Sequence, residues 1–110
     1  VLFQGHHKAH RDALAGAIAT LGGKPVAPET QATYVTNLEV AKITGQTDIL
    51  RLAQRLERGA ANAYLGVIPS FGSTDLAQVA AKLASDETAH WALLSQVLGE
   101  NLKAAPFVVS

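Results

Sequence analysis

The sequence predicts an all-α fold, and three observations carry that expectation. Its 110 residues are 48% hydrophobic but only 5% aromatic, and the aliphatic share is dominated by Ala and Leu, which keep their rotamer freedom in a helix. Apolar residues recur at steps of three and four along three long segments, the period of one helix face. Gly and Pro fall between those segments and do not interrupt them. A length of 110 residues supports a single domain, residues 1–110.

The first segment runs from about residue 2 to Leu21, where Gly22-Gly23 supplies a stop and Pro25 and Pro28 prevent resumption. Val1-Leu2-Phe3-Gln4-Gly5 resembles the end of a protease recognition sequence used after expression tags. The Pro that usually follows such a Gly is missing, and Phe3 keeps the helical register, which favours native sequence. From Gly22 to about Gly45 the Thr-rich chain reads as a long crossover, with room for a helical turn near Leu38 to Ile43. The second segment starts at Thr47 or Asp48, both good N-caps, and ends before Pro69. A tight turn at Pro69-Ser70-Phe71-Gly72 leads to a third segment that begins at Ser73 to Asp75 and stops at Gly99, with Pro106 marking an irregular tail.

Each segment writes out as one inward stripe, and each stripe contains ionisable residues. The first is Phe3, His7, His10, Leu14, Ala17, Leu21; the second is Leu50, Ala53, Glu57, Ala60, Tyr64, Val67; the third is Leu76, Ala80, Leu83, Glu87, His90, Leu94, Val97. Burying a carboxylate costs several kcal/mol unless it is paired or bound to a cation. Glu57 and Glu87 lie about equally far from the turn at Pro69, roughly 18–20 Å at 1.5 Å per residue, so an antiparallel hairpin sets them face to face. If the crossover returns the chain so that the first two segments run parallel, His7 and His10 reach the same level. Convergence of His7, His10, Glu57, Glu87 and His90 is what a metal site in a helix bundle requires, and these donors suit iron, manganese, zinc or copper. The alternative is a hydrogen-bonded Glu87–His90 pair that holds two helices in register, with His7 and His10 partly exposed.

Other residues have plainer readings. His6 lies off the stripe and reads as solvated, Tyr64 as a core tyrosine with a satisfied hydroxyl, and Trp91 as packing. Asp86 reads as a solvent-facing group or one that orients a histidine. Nine basic against nine acidic residues remove the electrostatic basis for binding nucleic acid or an anionic membrane. The absence of cysteine excludes thiolate metal sites, disulfides and thiol nucleophiles. No apolar run approaches the roughly 20 residues of a membrane span. Phosphate-cradling loops and nucleophile motifs are absent, and no catalytic residue can be assigned.

Leu56-Glu57-Arg58-Gly59-Ala60-Ala61-Asn62-Ala63-Tyr64-Leu65-Gly66 and Ser85-Asp86-Glu87-Thr88-Ala89-His90-Trp91 resemble the last two helices of the ferritin-like superfamily. The closer similarity is to its stress- and desiccation-associated branch, whose bacterial members are often exported. His6-His7-Lys8-Ala9-His10 resembles that branch's second helix. The resemblance implies a ferritin-like helical bundle with an iron or manganese site, one ion or two, and an oxidative or stress-related role. It also implies an opening bundle helix, with a further glutamate, to which nothing in this chain corresponds. Two carboxylates compensate the charge of one divalent ion better than that of two, so a single ion, or a pair completed by another chain, fits best. Without that opening helix, Leu14, Leu83 and Leu94 are expected to line an exposed apolar strip, which a homodimer would cover. The competing function is a metal-free structural or protective bundle.

Overall fold

Four α-helices form among the described residues, 1–101 of a computed structural model: α1 (Leu2–Thr20), α2 (Gln31–Asn37), α3 (Gln46–Val67) and α4 (Thr74–Val97). The same residues contain no strand. The tail expected around Pro106 lies outside the described residues. None of the helices is long and apolar enough to cross a membrane. The chain divides into two units, residues 1–40 and the chain from residue 41 onward.

In the first unit, α1 begins without a side-chain cap and ends as its double glycine predicts. Gly22 takes a left-handed φ of 80°. Its N–H bonds Ala19 O at 3.0 Å, and the Gly23 N–H bonds Ile18 O at 2.9 Å, which satisfies two orphaned carbonyls of the last turn. The second glycine is needed for space, since a Cβ there would lie 2.9 Å from Ile18 Cγ2. Leu21, placed at the end of the inward stripe, is instead 69% exposed, because the chain has already left the helix at that point.

The crossover holds more helix than its composition suggests. Thr30 caps α2 by accepting the Thr33 N–H at 3.2 Å, and Tyr34 Oη accepts the Glu29 N–H at 3.0 Å. This helix stops at Glu39, whose φ of 53° is one that glycine normally supplies. A run of β-branched threonines with no glycine stop hid α2 from a pattern reading. The turn expected at Leu38 to Ile43 is present as a 3-10 segment, Val40–Lys42.

In the second unit, α3 starts two to three residues earlier than Thr47 or Asp48 would allow as caps. Gly45 is the N-cap, and Asp48 sits in the first turn. There its Oδ2 accepts the Thr44 N–H at 3.0 Å and the Thr44 hydroxyl at 2.8 Å. Those two hydrogen bonds, the backbone one foremost, hold the Asp48 carboxyl below its usual range. A 3-10 turn, Ile68–Ser70, leads to α4, which Ser73 caps by accepting the Leu76 N–H at 3.4 Å.

α3 and α4 form an antiparallel hairpin. Glu57 meets His90, Gln54 meets Ser95, and Arg51 meets Glu100, so partners step back along α3 as they advance along α4. Small residues let the helices close: Ala61 is fully buried, and Ala80 and Ala84 are buried on α4. Leu83 and Leu94 are also buried, so they do not line the exposed strip expected of them. They share the α4 face that carries Glu87 and His90. The outermost stripe positions, Val67 and Val97, are exposed because they lie at helix ends.

α4 ends in a left-handed glycine with the bond pattern already seen after α1. Gly99 has φ 72°, its N–H bonds Gln96 O at 3.0 Å, and the Glu100 N–H bonds Ser95 O at 2.9 Å. No atom lies within 4 Å of a Cβ added at Gly99, so Gly99→Ala meets only the backbone penalty. That substitution should lower the unfolding free energy by about 1 kcal/mol, read from the urea midpoint at unchanged m-value.

Candidate metal centre

Glu57 comes from the middle of α3, and Glu87 and His90 come from one turn of α4. Spacing of three along α4 puts Glu87 and His90 on one face, and the antiparallel register brings Glu57 opposite them. All three are buried, at 6%, 2% and 3% exposure. His90 Nδ1 lies 3.3 Å from Glu57 Oε2 and 3.4 Å from Glu87 Oε2. One ring nitrogen therefore faces a carboxylate oxygen from each helix.

Each of the three residues offers a donor atom within 4.8 Å of the others. Ligands bound to one ion at 2.0–2.2 Å lie at most about 4.4 Å apart, so small side-chain adjustments bring this set into bonding range. With both carboxylates ionised the trio carries net negative charge whichever state the imidazole takes, and a cation is the direct way to neutralise it. Oxygen and imidazole donors together suit iron, manganese or zinc.

Neighbouring side chains hold the register of the trio. Gln54, one turn before Glu57, donates from Nε2 to Ser95 Oγ at 2.9 Å and to Glu100 Oε2 at 2.8 Å. Ser95 Oγ in turn donates to Trp91 O at 2.8 Å. The sequence reading missed Gln54 and Ser95. Their only signal was adjacency to the stripe positions Ala53 and Leu94. Trp91 is buried, as a packing residue should be, and Asp86 is exposed.

The histidines of the first unit form their own group on α1. His10 is buried and His7 exposed, with ring centroids 5.9 Å apart in an edge-to-face arrangement. His6, expected to be solvated, is half-buried and stacks on His10 at 6.5 Å.

Tyr64 lies two turns beyond Glu57 and is half-buried. Burial pushes its phenol above the ordinary value of 10.0, and the negative charge of Glu87 pushes in the same direction. Ultraviolet titration, with Tyr64→Phe as the subtraction control, should show this phenol ionising at higher pH than free tyrosine. Glu87→Gln should move the midpoint part of the way back while leaving it raised, because burial remains. A midpoint indifferent to Glu87→Gln would break the electrostatic link between the two residues.

No curated protein and no solved structure matches the chain. A family model described as the ferritin-like domain matches residues 1–100, which takes in all four helices. With that match added to the all-α architecture and the paired Glu-x-x-His of α4, the chain belongs to the ferritin-like domain family.

Proposed function

We propose that this ferritin-like domain binds iron or manganese through Glu57, Glu87 and His90 and serves an oxidative or stress-related role. One observation carries the reading: three buried donor atoms from two helices lie within 4.8 Å of one another. His10 and His7 are proposed as further ligands, on the sequence pattern of the α1 stripe. Two carboxylates favour a single divalent ion, with a second only if another chain adds acidic ligands. Zinc fits the same donors. The stress-related role rests on the resemblance of Ser85–Trp91 and its counterpart in α3 to the desiccation-associated branch.

When bound, iron or manganese would supply one-electron redox chemistry, which zinc lacks. The chain's own residues bind and orient. Glu57 and Glu87 offer charge from opposite helices, His90 offers the imidazole between them, and the Gln54–Ser95 bond keeps the helices from sliding. Burial excludes bulk water and strengthens each electrostatic contact.

An ion bound only by the folded state stabilises it by roughly 2.7 kcal/mol at a hundred times its dissociation constant. Protein purified without a metal-affinity column should therefore gain melting temperature on adding Mn²⁺ or Fe²⁺ and lose it with chelator. Glu87→Gln should abolish that difference. Equal melting curves for the wild-type chain with added metal and with chelator would favour a metal-free bundle, in which the His90 Nδ1 hydrogen bond to Glu57 and its contact with Glu87 serve only to hold the helices together.

The domain is also proposed to self-associate. Ile49 and Leu56, which share one face of α3, and Leu93 on α4 are between 48% and 55% exposed, the kind of apolar surface that a second copy would cover. Light scattering at micromolar concentration should give a dimer mass, with Leu56→Lys and Leu93→Lys each shifting it toward the monomer. A monomeric wild-type chain would remove the dimer.

A further inference from the structure

We propose that Glu100, which lies beyond the end of α4, acts with Gln54 as a positioning residue for the metal centre and sets its affinity for the ion; this rests on the reading of Glu57, Glu87 and His90 as ligands. Three bonds close a ring. Gln54 Nε2 donates to Ser95 Oγ at 2.9 Å and to Glu100 Oε2 at 2.8 Å, and the Glu100 N–H bonds Ser95 O at 2.9 Å. Gly99, with its φ of 72°, turns the chain so that the Glu100 N–H reaches Ser95. Arg51, one turn before Gln54, faces the other Glu100 carboxylate oxygen at 3.4 Å.

Hydrogen-bond chemistry selects one arrangement of this ring. The Ser95 hydroxyl has a single hydrogen and gives it to Trp91 O at 2.8 Å, so toward Gln54 it can only accept. An ionised carboxylate also only accepts, and Gln54 must present its amide nitrogen to both. Take Glu100 away and the Ser95 hydroxyl is free to turn and donate to Gln54 Oε1, which gives the amide two orientations. Glu100 therefore decides the sense of a bond between α3 and a Ser95 that is only 3% exposed. Gln54 lies one turn before Glu57, and Trp91 directly follows His90, so the ring ties the turn that carries one ligand to the turn that carries another. The donor atoms span up to 4.8 Å, whereas ligands of one ion lie at most about 4.4 Å apart. Side chains close that gap only while the two helices keep their register, and a network with one satisfied arrangement holds it.

Metal-free protein is titrated with Mn²⁺, the free ion being followed by electron paramagnetic resonance, and the melting temperature of each metal-free variant is measured alongside. Gln54→Leu, which keeps the bulk and loses both bonds, should weaken Mn²⁺ binding about tenfold, the low end of what losing a ligand's support costs. Glu100→Ala changes only a surface side chain and should weaken it by about threefold to tenfold on the same grounds. Glu100→Gln, whose amide oxygen still accepts from Gln54, should recover most of that loss. Ser73→Ala removes the cap at the far end of α4; it should lower the melting temperature and leave the dissociation constant unchanged, which separates positioning from general loss of stability. If Gln54→Leu fails to fold by circular dichroism, the Glu100 variants decide. Wild-type affinity in Glu100→Ala overturns the positioning role and leaves the metal centre standing. No Mn²⁺ binding by the wild-type chain overturns the centre itself, and this inference with it.

Discussion

A carboxylate moved from water into a helix interface loses several kcal/mol of solvation, and α3 and α4 bring two of them, Glu57 and Glu87, to the same ring nitrogen of His90. The rest of the hairpin is arranged around that expense. Ala61, Ala80 and Ala84 keep the helices close enough for short hydrogen bonds, and the large aliphatics Leu83 and Leu94 lie on either side of the polar pair along α4. A helix that buried only leucine could slide or rotate by a turn at little loss. One that must satisfy Glu57, Glu87 and His90 together cannot.

Register is reinforced away from the trio. Gln54 reaches both Ser95 and Glu100, and Glu100 also meets Arg51 at 3.4 Å. The Arg51–Glu100 pair is solvent-exposed and contributes little by itself. Its value is positional, because Glu100 directly follows Gly99, whose left-handed backbone turns the chain there. The same capping geometry ends α1, so both long glycine-stopped helices terminate by satisfying carbonyls within the chain.

The two groups of ionisable residues differ in chemistry. On the hairpin, oxygen donors outnumber nitrogen and are buried. On α1 the donors are imidazoles alone, graded from buried His10 through half-buried His6 to exposed His7. Donor hardness, more than raw affinity, decides which ions such sets distinguish.

By itself the sequence determined the long helices, their glycine stops and the level of Glu57 against Glu87. These follow from a fixed rise per residue, a period of 3.6 and a short turn between α3 and α4, all of which are local properties of the chain. It misread the start of α3 because Asp48 accepts bonds from Thr44 instead of capping, and it missed α2 because Glu39 stops that helix in a conformation glycine usually marks. Tertiary structure alone decided that His90 Nδ1 faces both carboxylates, that Gln54 latches onto Ser95, and that Leu83 and Leu94 are buried while Val67 and Val97 are not. Periodicity names the face a residue occupies. Which atoms meet across that face depends on the rotation and closeness of two helices, and those are set by side chains some 30 to 40 positions apart in sequence, such as Glu57 and His90 or Gln54 and Ser95.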